Sequence, residues 1–513
     1  MIPEGMKIRV LKNKLGLPRT LVFMILVCLI VGLGAALRLN DLAAESYKAD
    51  EVDTVLWAQE PLQKIITDPR GRPQLYLLLA RFWVQAWGPG EAATRSSSAL
   101  VGIASIPLMM MVGCELFGKR VGLISGLFMS LSEIQIYYSQ EFRWYAPVVL
   151  LTLVSYFLFI RALKSGKLGH IFLYALANVF LLYTQTSGVF VLAAQGIYFL
   201  LQWKRYRTVI TRWFLCLAVI VLAFIPPLVS LINSRHAAFD WLSMPPLWQP
   251  FLSAAKFVFP LTVINSRPYP SWGVVLAGIA FLGIGTSFYV LWRGKEQWLV
   301  SIRNLVPSVK ALSSVGNELQ LVGCWFLCPL LLPLILSFVQ PMYLERYVIS
   351  AAPALYLLLA LSVVAVRKIV PEAVLLGAFV VLIVPGLQGY YVTDLREQWR
   401  ESAAYVAAYS QNGDVIVFAP DDGTTHGFNW YYRGSLPECG LELGLADNQA
   451  INDALARCIV GAKRFWVVMR APEKYMPFGA FFLNPNPSQM QFELEKGQKF
   501  MDISVYLFTV PEH

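Results

Sequence analysis

The sequence predicts a polytopic α-helical membrane protein that ends in a small α/β domain, and three observations carry this. The 513 residues are 57% hydrophobic and only 14% charged, whereas soluble domains carry about 25% charged residues. Apolar runs of spanning length recur as far as residue 390, and after Gly389 the chain changes to alternating strand and helix patterns. The formal charge of +10 reads as loop charge, because Lys and Arg accumulate in the cytoplasmic loops of such chains. Nucleic acid is excluded as a partner, since no basic run carries the interleaved aromatics that such binding uses.

Taken in order, the basic segment from Met1 to Arg19 precedes a hydrophobic run that is too long for a cleavable signal and has no small-residue cleavage site, so it is expected to stay as an anchor. About 11 transmembrane helices are expected, at 20–39, 97–117, 120–137, 146–163, 170–187, 188–202, 213–232, 272–292, 321–338, 348–366 and 372–390. With the amino terminus in the cytoplasm, every loop assigned to that side is basic: Lys119-Arg120; Arg161, Lys164 and Lys167; Lys204, Arg205, Arg207 and Arg212; Arg293, Lys295, Arg303 and Lys310; and Arg367-Lys368. Pro73 to Trp87 is apolar, but it is short for a span and has Arg81 at its middle. It is read as an interfacial helix inside a long first outer loop, 40–95. The stretch 233–271, with Trp241, Trp248 and several prolines, is read the same way.

An odd number of spans puts the tail outside the cytoplasm. The expected organisation is a membrane-embedded domain over 1–390 and an extracytoplasmic α/β domain over 391–513, the whole a multi-pass protein of the plasma (inner) membrane. In the tail, Trp399 to Ser410 and Asn448 to Ile459 have helical spacing, and Asp414 to Ala419, Arg464 to Met469 and Ile503 to Val510 have strand patterns. Cys439 and Cys458 stand apart there and are a candidate disulfide if the tail faces an oxidising compartment. The other five cysteines lie in apolar runs as small core residues.

This topology gathers polar groups on the outer face. Asp50, Glu51 and Asp53 directly follow the first span; Arg72 and Arg95 lie in the same loop region; Gln140, Glu141, Arg143 and Tyr145 share one turn; Tyr183 to Thr186 and Tyr343 to Tyr347, with Arg346, lie at span ends. A carboxylate at the membrane surface can take a proton from an acceptor hydroxyl or amine. Arginine suits a phosphate leaving group, because its planar fork donates two charge-assisted hydrogen bonds to phosphate oxygens. The cytoplasmic loops hold no Gly-rich phosphate cradle, so no nucleotide cofactor is expected. Asp50, Glu51 and Glu141 are candidate oxygen ligands for a divalent cation, and metal use stays open. His170, His236, His426 and His513 are too scattered for a zinc site.

Several of these groups recur as ordered motifs: Ala49-Asp50-Glu51, Arg72-Pro73-Gln74-Leu75-Tyr76, Gly90-Glu91-Ala92-Ala93-Thr94-Arg95, Tyr138-Ser139-Gln140-Glu141-Phe142-Arg143-Trp144-Tyr145 and Glu345-Arg346-Tyr347. In order and spacing this resembles the membrane glycosyltransferases of the C-type fold (GT-C), in particular the bacterial group resembling protein O-mannosyltransferases and the lipid A aminoarabinose transferase. The resemblance covers residues 20 to about 390. It implies a polyprenyl-phosphate sugar donor, hexosyl or pentosyl transfer and an extracytoplasmic glycan, lipid or protein acceptor. It also implies Asp50 as general base with Glu51 as its motif partner, and Glu141 and Arg143 in the second outer motif. Arg72, Arg95, Gln140, Arg143, Tyr145, Arg346 and Tyr347 then face donor phosphate and substrate. Pro73-Gln74 stands where relatives often have two prolines, and Trp144 where a smaller apolar residue is common, which bears on the shape of the acceptor pocket. A transporter or flippase of lipid-linked saccharides is the rival reading, yet transporters often show internal repeats with sites at mid-depth, and the sequence shows neither. A polymerase or ligase of lipid-linked glycans would share much of the site.

Overall fold

The computed structural model describes residues 18–67, 73–233, 242–259, 310–365, 369–421, 423–442, 447–470, 476–483 and 492–510. The chain divides into two compact units. The first comprises Met1–Asn40, Pro61–Leu79 and Arg95–Tyr391; the second comprises Asp41–Glu60, Ala80–Thr94 and Val392–His513. The compact unit that holds the tail therefore also takes in two pieces of the segment 40–95.

In chain order the described helices are α1 (Arg19–Leu39), α2 (Ala49–Gln59), α3 (Leu62–Ile66), α4 (Gln74–Trp87), α5 (Glu91–Phe117), α6 (Lys119–Leu131), α7 (Glu133–Ser139), α8 (Tyr145–Ser165), α9 (Leu168–Thr184), α10 (Val189–Leu201), α11 (Ile210–Asn233), α12 (Gln249–Val258), α13 (Lys310–Leu336), α14 (Ala352–Ala365) and α15 (Ile369–Val392). The tail adds α16 (Trp399–Tyr409), α17 (Thr424–Asn429), α18 (Asn448–Cys458) and α19 (Met476–Leu483). Among the described residues six helices are long and apolar enough to cross a membrane, and three shorter apolar stretches lie at Leu168–Thr184, Thr186–Leu201 and Ile349–Ala365. The run at 272–292 lies outside the described residues.

Two devices hold the first unit together. Small residues let backbones approach: a Cβ at Gly113 of α5 would stand 2.8 Å from the Gly122 Cα of α6, the close packing that membrane helices use in place of a hydrophobic driving force. Polar groups are closed in a ring among α8, α9 and α10, where Tyr174 donates to Gln195 (2.8 Å), Gln195 to Ser155 (2.9 Å), Ser155 to Asn178 (2.9 Å) and Asn178 to the Tyr174 carbonyl (2.8 Å). Each buried donor and acceptor named here has a partner, as an apolar surrounding demands.

The apolar run at 120–137 is not one helix. It breaks at Ser132, which is extended (φ −65, ψ 116), between α6 and α7. Fully buried Arg38 takes the carbonyls freed there, donating to Met129 O (2.9 Å) and Ser130 O (3.1 Å). The Ser132 hydroxyl donates to Phe257 O (3.0 Å) and receives the Tyr356 hydroxyl (2.8 Å).

In the second unit five strands, β1 (Val415–Phe418), β2 (Glu438–Gly440), β3 (Arg464–Arg470), β4 (Glu493–Phe500) and β5 (Ile503–Thr509), form one sheet in the order β2-β1-β3-β5-β4. β1 pairs in parallel with β2 and β3, while β5 runs antiparallel to β3 and β4. Alternate side chains fill two cores. Val415, Val417, Phe465, Val467 and Phe508 face α18 and α19; Ile416, Phe418, Trp466, Val468, Val505 and Leu507 face α16 and α17. Burial on both sides explains why β1 and β3 read as unbroken apolar runs. Cys439 and Cys458 are joined as a disulfide.

Candidate active site

The first carboxylates lie in the opening turn of α2, in the second unit. Glu51 is fully buried, and its Oε2 accepts the Lys48 backbone N–H (3.1 Å), the returning half of a capping box. Asp50 and Asp53 are partly exposed on the same helix. The turn is fixed from the tail: Glu397 Oε2 accepts the backbone N–H of Ala49 (2.7 Å) and the indole N–H of Trp399 (2.7 Å), and Glu397 Oε1 accepts Arg470 Nε (2.8 Å). A carboxylate at this position also complements the positive end of the helix dipole. Ser46 adds a second tie, donating to Glu397 O (2.6 Å) and accepting Trp399 N–H (3.1 Å). Ala49 itself packs in the core with Trp399, Ala403 and Phe418. Glu91 is also bound to the tail, accepting Arg400 (2.7 Å) and the Tyr431 hydroxyl (2.7 Å).

The second group of candidates occupies the turn between α7 and α8 in the first unit. Glu141 is 1% and Arg143 is 8% exposed, and charges so buried persist only where neighbours compensate them. Gln140 is part of the scaffold. Its amide donates to Asn40 O (2.7 Å) and Arg38 O (3.2 Å) at the end of α1, and its Oε1 receives the Tyr390 hydroxyl (2.6 Å) from α15. The preceding Ser139 accepts Arg38 Nε (3.2 Å). Phe142 and Trp144 both pack on Tyr76, with ring centroids 6.1 and 5.9 Å away, and the Arg143 guanidinium lies 3.8 Å from the Trp144 ring centroid. Trp144, one of the two departures from the motif pattern, thus carries an arginine on its face. Tyr145 and Arg95 are buried in the same unit. Arg72 lies outside the described residues.

The third group is the short turn Glu345–Tyr347. Glu345 accepts Lys256 Nζ from α12 at 2.8 Å, and Tyr343 donates to Ser253 (3.1 Å). Burial pushes the Glu345 carboxyl up from the usual range, and Lys256 offsets only part of that. Arg346 follows, its guanidinium 5.8 Å from the Tyr347 ring centroid. Among the described residues no group of three His, Cys, Asp or Glu side chains is placed to hold a metal ion.

Comparison with solved structures decides the fold. ArnT from Cupriavidus metallidurans bound to undecaprenyl phosphate superposes with TM-score 0.54 at 14% identity, over 94% of this chain and 97% of that one. The archaeal oligosaccharyltransferase AglB from Archaeoglobus fulgidus, in complex with an inhibitory peptide and a dolichol-phosphate, gives TM-score 0.55 at 12% identity, over 94% of this chain and 74% of that one. The chain has the GT-C fold. Residues 71–230 also match the family model of dolichyl-phosphate-mannose-protein mannosyltransferases, a stretch that takes in the Arg72–Tyr76 and Gly90–Arg95 motifs and the α7–α8 turn. No curated protein matches the chain in sequence. With its apolar helices and GT-C fold, the chain is a multi-pass membrane protein.

Sequence reasoning missed the groups that position the candidates. Glu397 meets Ala49 from 348 residues away and Lys256 meets Glu345 from 89 away. The one local signal for Glu397 is its place, an acid two residues before a tryptophan just after the composition changes.

Proposed function

We propose that the protein transfers a sugar from a polyprenyl-phosphate carrier to an acceptor outside the cytoplasm. The observation that carries this reading is the ordered set of motifs on a GT-C fold, with Asp50 in the first turn of the helix that follows the first span. ArnT and AglB were solved with polyprenyl or dolichol phosphates, which supports a lipid-linked donor here.

Asp50 serves as general base. An acceptor hydroxyl or amine attacks the anomeric carbon and its proton passes to the Asp50 carboxylate; the bond from the anomeric carbon to the phosphate oxygen breaks, and polyprenyl phosphate leaves with the bonding electrons. Arg346 and Arg143 hold that departing charge through forked hydrogen bonds. Arg72, Arg95, Tyr145 and Tyr347 are proposed to line the donor, and Gln140 to hold the turn that presents Glu141. Asp50 and Glu141 are the carboxylates proposed for a divalent cation if one is used.

The test is to incubate purified protein with a panel of radiolabelled polyprenyl-phosphate sugars and an extract of envelope acceptors. Release of polyprenyl phosphate with label moving to acceptor is the expected result. Label that crosses a vesicle membrane with its carrier intact would instead identify a flippase.

A further inference from the structure

We propose that the first unit carries a second ligand site, a groove that holds one anionic phospholipid at the end of the bundle opposite the α7–α8 turn. The groove measures about 470 Å³, within the range of about 300–1,000 Å³ usual for small-molecule sites. Its walls are Phe23 and Val27 of α1, Pro107 and Met111 of α5 and Phe157 of α8. Met24 and Met111 are 52% and 48% exposed. On helices that cross a membrane, such apolar surface faces acyl chains rather than water.

The charges at the mouth choose the occupant. Glu115 is shared by two cations, Arg161 (2.8 Å) and Lys164 (3.0 Å). Lys119 adds a third, its Nζ 5.0 Å from the Phe23 ring centroid. Two cations paired with Glu115, and Lys119 beside the same groove, leave two positive charges in excess where the apolar walls end. This is the pattern that receives a phosphodiester with its chain running down the groove, and juxtamembrane Lys and Arg attract anionic lipid in the same way. The position separates this site from the proposed chemistry. Arg161 lies 16 residues beyond Tyr145 on α8, roughly 24 Å at 1.5 Å per residue. It is also the end that the basic-loop pattern assigns to the cytoplasm, where anionic phospholipids are concentrated.

Native mass spectrometry of the full-length protein, delipidated in detergent and titrated with phosphatidylglycerol, phosphatidylcholine and undecaprenyl phosphate, tests the proposal. One phosphatidylglycerol should bind about fivefold more tightly than phosphatidylcholine for each cation engaged, and undecaprenyl phosphate should not displace it from this groove. Lys119→Gln should reduce that preference by about fivefold while leaving the unfolding temperature unchanged. Met111→Trp, which fills the groove, should abolish retention of either phospholipid. Equal binding of the two phospholipids by the unmodified protein overturns the proposal, as does an unaltered preference in Lys119→Gln or displacement by undecaprenyl phosphate. Should either variant fail to fold, the comparison of lipids on the unmodified protein decides alone.

Discussion

Asp50 is proposed to act on a proton, and Glu397 on the geometry of Asp50, so the two should fail differently. Asp50→Asn removes the base and keeps the shape; turnover should fall at least about 100-fold with donor binding near normal, and a variant keeping more than about a tenth of the activity rules the assignment out. Glu397→Gln keeps the shape as well, but weakens the acceptor of Ala49 N–H and removes the carboxylate charge from the contact with Arg470. Misplacing a reacting group by about 1 Å costs on the order of 100-fold, so kcat should drop by roughly one to two orders of magnitude with the donor KM little changed. Equal losses in kcat and in folded yield would mark Glu397 as merely structural. Glu345 offers a pH test. Burial raises its carboxyl, so the folded protein binds this proton more tightly than the unfolded chain does. The stabilising contribution is complete below the ordinary carboxylate range and declines as pH rises through the raised value. In the window just above the usual range, Glu345→Gln should flatten the fall of the unfolding temperature with pH; parallel curves for the two proteins would refute it.

At the scale of elements, Arg38 joins three pieces of chain. It donates to Met129 and Ser130 where α6 ends and to Ser139 where α7 ends, from the last turn of α1. Lysine cannot reproduce that fork, and each buried carbonyl left without a donor costs about 1–3 kcal/mol. Arg38→Lys should therefore lower the unfolding temperature clearly, and Arg38→Met more so, with activity falling because the Gln140–Tyr145 turn loosens. An unfolding temperature within a degree or so of the unmodified protein would show that the grip is unimportant, since about 1 kcal/mol moves even a large domain by 2–4 °C. The same element shows what the sequence can and cannot tell. A run of apolar residues reports that a helix is buried in lipid or protein, so α1, α5, α8, α11 and α13 were legible from composition alone. The break at Ser132 was not, because the arginine that takes the carbonyls freed there lies about 90 residues away. β1, β3 and β5 were legible because both their faces are buried. β4 (Glu-Leu-Glu-Lys-Gly-Gln-Lys-Phe) was not, because an exposed edge strand is charged to discourage pairing and so loses the apolar pattern. Of the site, motif order made the candidates Asp50, Glu141 and Arg346 visible, while Glu397, Lys256 and Tyr390 depend on long-range contacts that spacing does not encode.

For the whole molecule the deciding quantity is orientation, since the proposed chemistry requires the segment 40–95, the α7–α8 turn, the Glu345–Tyr347 turn and the tail to lie on one side of the membrane. That requirement turns on α4. Its 14 residues are close in number to those of α10 and α14, but α4 carries a charge at its middle and those two carry none. Arg81 at its middle donates to the carbonyls of Ala58 and Glu60 at the end of α2, a partner set that a mid-bilayer arginine facing lipid would lack. If α4 does not cross, the basic loops stay in the cytoplasm and the tail lies outside; if it crosses, every later loop is reversed. A reporter active only in the cytoplasm, fused after His513, should therefore stay silent, while the same reporter fused after Lys167 in the loop between α8 and α9 should be active. A membrane-impermeant maleimide added to intact spheroplasts should label Cys439 and Cys458, and only after reduction, because the two are disulfide-bonded and an oxidising compartment keeps them so. A strong signal from the His513 fusion, with no maleimide labelling after reduction, would place the tail in the cytoplasm and remove the ground for assigning the base to Asp50.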